Sequence, residues 1–275
     1  MPWPPRKTYP SRQPYPTDLT DAEWKVIEPL FPPVTQSPYF AVTPTREIVN
    51  AIQYMKRTGC QWRNTPHEFP RWQLVAYYFY KWKKSGLWKT INDTLRRRVR
   101  ECAGRSAEPT AGSMDTQSVK TTEMGGPRGF DAGKKVKGRK RGIVVDTLGL
   151  VIALTVVPAD VQESDVGRLL VPKAMAEAPT LTKIWVDAGF NSKLLHDEAC
   201  TYPVTLEIVK RPKETKGFVL LPHRWKVERT FAWWNWERRL SKDFERQEST
   251  TETWCYVTMS SIMARRLASN EKMLI

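Results

Sequence analysis

Ile143-Val144-Val145-Asp146 and Leu150-Val151-Ile152-Ala153-Leu154-Thr155-Val156-Val157 are two apolar runs separated only by Thr147-Leu148-Gly149. Short apolar runs on either side of a glycine-bearing turn predict two buried strands joined as a hairpin. Working outward, residues 112–119 predict a strand before the hairpin, and residues 164–178 predict a helix after it. Then follow a strand at 184–187, a helix at 192–199, a strand at 204–209, and helices at 223–242 and 250–267. Residues 125–142, between the first strand and the hairpin, hold six glycines counting Gly142 and seven basic side chains. They read as a mobile loop.

Three antiparallel strands followed by alternating helix and strand is the order of an RNase H-like α/β (α+β) fold. Fold order alone does not give function. Upstream, Thr20 and Glu23 form a capping-box pattern that opens a short helix. Ile48, Ile52 and Met55 recur at helical spacing, and Gly59 stands where that helix ends. Further helices are predicted at 72–84 and 88–102. The chain therefore divides into a Pro-rich arm (1–17), an all-helical, helix-turn-helix-like domain (18–105) and an RNase H-like domain (111–275). A plain helical bundle with a solvated basic face is the competing reading of 18–105.

The formal net charge is +15 over 275 residues, which points to a polyanionic partner, nucleic acid by default. Two blocks carry much of the excess: residues 81–100, with Arg96, Arg97 and Arg98, and residues 128–141, with Lys134, Lys135, Lys137, Arg139, Lys140 and Arg141. Such blocks suit phosphate contacts. The four cysteines show no zinc or redox spacing, so they read as reduced packing residues of a cytoplasmic protein. Three histidines are too few for a His-based metal cluster, and no apolar run approaches the roughly 20 residues that span a bilayer.

Asp115 falls in the first strand, Asp187 ends the fourth, and Glu228 sits in the helix after the fifth. In an RNase H-like sheet the first and fourth strands are neighbours and the helix packs across them, so the three carboxylates converge. Carboxylates gathered in this way hold Mg²⁺ together with waters and phosphate oxygens, and two such ions promote in-line phosphodiester chemistry. Taken singly, each acid also fits a blander role: a cap or turn for the aspartates, a solvated or paired side chain for Glu228. On one continuous helix, Arg224, Asn235, Arg239 and Lys242 share the face of Glu228, giving cations for DNA phosphates. Arg224 also suits an i,i+4 ion pair with Glu228. Val227, Phe231 and Trp234 form a separate stripe suited to packing on the sheet, while Trp225, Trp233 and Trp236 lie off it.

Several stretches resemble bacterial DDE transposases of insertion sequence family five. They are Leu19-Thr20-Asp21-Ala22-Glu23-Trp24, Arg57-Thr58-Gly59-Cys60-Gln61-Trp62-Arg63, Met114-Asp115-Thr116-Gln117-Ser118-Val119, the basic stretch 125–141, Trp185-Val186-Asp187-Ala188-Gly189-Phe190 and Arg224-Trp225-Lys226-Val227-Glu228-Arg229. The resemblance spans roughly residues 18–268. It implies Asp115, Asp187 and Glu228 as ligands of two Mg²⁺ ions, with Mn²⁺ able to substitute. It also implies the terminal inverted repeats of a mobile element as the duplex substrate, target DNA as the acceptor, and a homodimer or larger assembly on DNA. Arg224 matches the Arg of the Arg-x-x-x-Glu signature, whereas Leu221 and Asn235 stand where that signature has Tyr and Lys, so Arg239 or Lys242 is expected to replace the Lys. Gly142 stands where the resemblance calls for His. An inactive or domesticated DNA-binding protein, or a nuclease that cuts without strand transfer, fits the same sequence.

Overall fold

The computed structural model describes residues 11–33, 43–123, 125–209 and 224–269. Helices come first: α1 (Asp21–Ile27), α2 (Thr45–Thr58), α3 (Trp72–Lys84) and α4 (Leu87–Cys102). Local chemistry sets their ends. Thr20 and Glu23 cap α1 reciprocally, and Gly59 closes α2 at φ 73°. Gly86, at φ 72°, turns α3 into α4. Then come β1 (Ala111–Lys120), β2 (Gly129–Asp131), β3 (Val136–Asp146), β4 (Val151–Pro158), α5 (Glu163–Glu177), β5 (Lys183–Val186), α6 (Lys193–Ala199) and β6 (Thr205–Ile208). The chain finishes with α7 (Trp225–Asn235), α8 (Arg238–Ser241) and α9 (Glu248–Ala268).

β3 is the pivot of the sheet. It pairs antiparallel with β1 on one side and with β4 on the other, and β2 continues the β4 side beyond the end of that strand. β5 and β6 extend the sheet from β1 in parallel. Reading across, the order is β4-β3-β1-β5-β6, the RNase H-like arrangement. α5 packs on one face, while α7 and α9 cover the other. Two glycines within the strands have a steric reason. A Cβ at Gly112 would lie 2.8 Å from the Val145 carbonyl, and one at Gly142 would overlap Val166 on α5. The glycine at 142, in place of the expected His, lets α5 settle onto β3.

Residues 125–142 are not a free loop. Their second half is the first half of β3, paired on both sides, with β2 beside it. The long helix expected at 223–242 is broken after Asn235 into α7 and α8, so Arg239 does not continue the face of Glu228. Residues 11–17 of the arm are docked: Arg12 pairs with Asp18 (2.7 Å) and Glu47 (2.8 Å), and Tyr15 stacks on Phe69. Residues 1–10 of the arm lie outside the described residues.

The helical region does not close a core of its own. Ile48, Ile52, Phe79, Trp82 and Leu95 share one buried cluster with Trp254, Val257, Met259 and Met263 of α9 and with Ile143, Val151 and Leu154 of the sheet. The change at 105–111 marks where helix gives way to strand. It is not a boundary between independent cores. Two buried ion pairs cross the same region: Arg100 with Asp146 at 2.9 Å, and Lys56 with Glu237 at 3.5 Å. All four cysteines are free. Cys255 is in the core, but Cys102 and Cys200 are exposed and are not core residues. No described helix is long and apolar enough to cross a membrane.

Candidate active site

Sheet register brings two of the three acids together. Ser113 on β1 is level with Trp185 on β5, and the strands run parallel, so Asp115 and Asp187 come level two residues later. β5 ends at Val186, and Asp187 caps the 3-10 turn Ala188–Phe190, its Oδ1 accepting from the Gly189 N–H at 2.9 Å. Asp115 Oδ1 accepts from the Thr116 N–H at 2.6 Å. One guanidinium then spans the pair: Arg224, at the start of α7, places Nη2 3.3 Å from Asp115 Oδ2 and 3.3 Å from Asp187 Oδ2. Arg224 turns to the aspartates and not to Glu228, and its buried Nε has no hydrogen-bond partner.

Burial pushes the Asp115 carboxyl up to about 6. The negative fields of Asp187 and Glu163 add to that, against the Thr116 hydrogen bond and Arg224. Oxygen donors that repel one another around a single positive group suit a hard divalent cation. The fit is that of a two-carboxylate site. Glu228 lies one turn along α7 with an exposed side chain, and among the described residues no three acids stand together as a metal-binding group.

A third acid comes to this place from the other face of the sheet. Glu163 opens α5, and its Oε1 accepts from Thr116 Oγ1 at 2.8 Å and from Lys134 Nζ at 3.0 Å. A methyl group at Gly189 would overlap the Glu163 carboxylate and lie 3.1 Å from Asp187 Oδ1. Gly189 is therefore the space in which two carboxylates meet. Sequence reasoning missed Glu163 because an acid in the first turn of a helix already suits the helix dipole. The available signal was Gly189 directly after the Asp187-Ala188 pair.

The basic residues divide sharply. Arg96 is fully buried, near Asp93, Glu108 and the Glu177 carbonyl. Arg139 is fully buried and donates to Asp243 and to the carbonyls of Pro127, Glu245 and Arg246. Lys140 holds the Val161 carbonyl and Arg141 the Leu240 carbonyl. Arg239 pairs with Glu245 at 2.7 Å and lies over Trp254. These five are turned into the interior and are not placed as phosphate contacts, although Arg96 Nε and Nη1 and Arg141 Nε and Nη2 find no hydrogen-bond partner there. Arg97 and Arg98 are exposed, though Arg97 is paired with Glu108 and Arg98 with the Val26 carbonyl. Lys134, Lys135 and Lys137 are exposed around the β2–β3 turn, and Lys134 is the one that reaches the Glu163 carboxylate. Lys242 is half-buried beside Phe244. The expected stripe of Val227, Phe231 and Trp234 is buried. Trp225 and Trp233 both stack on Arg229, whereas Trp236 is exposed. Leu221 lies outside the described residues.

Two models of known families match the chain. Residues 19–92 match the model for transposases of the IS4/5 family, DUF4096. Residues 106–263, holding both aspartates, Arg224 and Glu228, match the transposase DDE domain. A search of curated proteins gives no match. The second match covers more than half of the chain, and so the protein belongs to the DDE transposases, of the IS4/5 type.

Proposed function

We propose that this transposase binds the terminal inverted repeats of its own element and that Asp115, Asp187 and Glu228 serve DNA cleavage followed by strand transfer. The observation that carries the reading is the level placement of Asp115 and Asp187 around one cation at adjoining strands. The two aspartates would hold Mg²⁺, or Mn²⁺ in its place, with Glu228 as the third ligand on α7. Divalent ions in such a site activate water or a 3′-hydroxyl and relieve charge on the leaving oxygen. The chain's own part is positional. The β1–β5 register fixes the aspartates, the Thr116 and Gly189 N–H groups orient them, and Arg224 balances their charge. Lys134, held beside Thr116, is an exposed cation within reach of a phosphate at this site. Holding two ends at once calls for at least a dimer on DNA.

Purified protein, duplexes carrying the element ends and a supercoiled target test this directly. Joined products are expected, and Asp115→Ala, Asp187→Ala and Glu228→Ala should each abolish them while leaving duplex binding in place. Substantial Mg²⁺-dependent cutting by Asp187→Ala refutes the assignment. Cuts without joining make the protein a nuclease, and a shifted band without cuts makes it a binder.

A further inference from the structure

Of the first four helices, three have little outward surface to offer. α2 is buried around most of its circumference, with Ile48, Val49, Asn50, Ala51, Ile52 and Gln53 all inside. α1 has only seven residues. α4 buries Arg96 and Arg100, and its outward Arg97 is tied to Glu108. α3 differs. Gln73, Tyr77, Tyr80, Lys81 and Lys84 are all exposed, at spacings that keep them on one side of the helix. Tyr77 is 57% exposed and Tyr80 44%, which is high for aromatic side chains, while Val75, Tyr78, Phe79 and Trp82 hold the opposite side in the core. From Phe69 to Asn92 the sequence contains no acidic residue.

We infer that the outer face of α3 is the surface that docks on duplex DNA, an inference resting on the DNA-binding reading above. Lysines at one end of a helix, with tyrosines and a glutamine along it, match what a duplex offers. Phosphate oxygens accept from ammonium and phenol groups, and a glutamine side chain can meet adenine through two hydrogen bonds in the major groove. A helix of this diameter enters that groove. Lys81 already lies over the rings of Tyr77 and Tyr78, so the face is partly pre-arranged.

The test uses the full chain and a labelled duplex taken from the DNA flanking its coding sequence, with a shuffled duplex beside it. For Lys81→Ala/Lys84→Ala, affinity for both duplexes should drop about tenfold or more, and the slope of log affinity against log salt should fall by roughly 0.9 per lost contact. Gln73→Ala/Tyr77→Ala should instead erode the preference for the flanking duplex. Thermal midpoints should stay at the wild-type value in both, because the side chains are exposed. Arg97→Ala/Arg98→Ala is the comparison variant and should change binding less. Wild-type affinity and slope in the folded lysine variant overturn the inference. So does sedimentation showing that these changes split a DNA-free dimer, which would make the face a self-contact. If the wild-type chain shows no salt-dependent binding to either duplex, the DNA-binding reading itself fails.

Discussion

The basic run from Lys134 to Arg141 has two halves with opposite fates. Lys134, Lys135 and Lys137 surround a turn and face water, whereas Arg139, Lys140 and Arg141 sit in the middle of a paired strand with their charges inside. Alternation in the strand separates them further. Arg139 and Arg141 reach the segments around α8, and Lys140 reaches the opposite side, toward Val161 and Asp131. Two charge densities that look alike in sequence thus do different work. One half cross-links the fold, and the other stays at the surface, where Lys134 is paired with Glu163 and Lys135 and Lys137 face water.

The sharpest way to break this contrast is Arg139→Ala. It takes the countercharge from buried Asp243, which keeps only the Glu245 N–H and Thr251 hydroxyl, and takes a donor from three carbonyls; we expect a loss of about 3–5 kcal/mol, read as a lower urea midpoint with an unchanged slope. A loss below 1 kcal/mol would mean that the buried half is dispensable. The triple change Lys134→Ala/Lys135→Ala/Lys137→Ala should leave stability within about 1 kcal/mol. Its effect belongs to duplex binding, as a reduced salt slope. Unchanged salt dependence would remove the exposed half from the DNA contact.

Asp115→Asn carries the contrast to the carboxylates. Because burial raises the folded carboxyl to about 6, the folded state binds this proton more tightly than the unfolded chain does. Stability therefore falls as pH rises from roughly 4 to about 6. The Asn variant should escape that fall, gaining up to about 3 kcal/mol over wild type at pH 7.5, with most of the gain gone at pH 4. Equal unfolding curves at pH 7.5 would show that the aspartate is already balanced. Smallest of all, Glu163→Gln should lower the Asp115 titration midpoint with less than about 1 kcal/mol change in stability, since it removes one negative field and one pair with a half-exposed lysine. A midpoint that rises instead would place Glu163 outside the site.

Much of the fold was legible where apolar pattern and caps agree. The reading of 72–84 coincides with α3, and both strands of the hairpin at Gly149 were found. The first half of β3 was hidden because Lys137-Gly138-Arg139-Lys140-Arg141 has no apolar alternation, and its inward residues are cations that reach distant carbonyls. The break after Asn235 was equally silent, since Trp236 and Glu237 carry no helix-stopping chemistry. Asp115 was legible as a strand residue and Asp187 as the residue at a strand's end, which the structure places just past β5 as the cap of the next turn. Glu163 was not, because its meeting with Asp187 depends on α5 crossing the opposite face of the sheet.

The shared core also imposes an order in time. Residues of α2, α3 and α4 close against α9, which begins at Glu248, well over one hundred residues downstream. Synthesis proceeds at about 5–20 residues per second, so the first helices leave the ribosome roughly ten to thirty seconds before their packing partner exists. Through that interval, Ile52, Phe79 and Trp82 lack the side of their core that α9 supplies. A message cut short before α9 yields a helical region unable to close, which ties the first helices to completion of the whole enzyme.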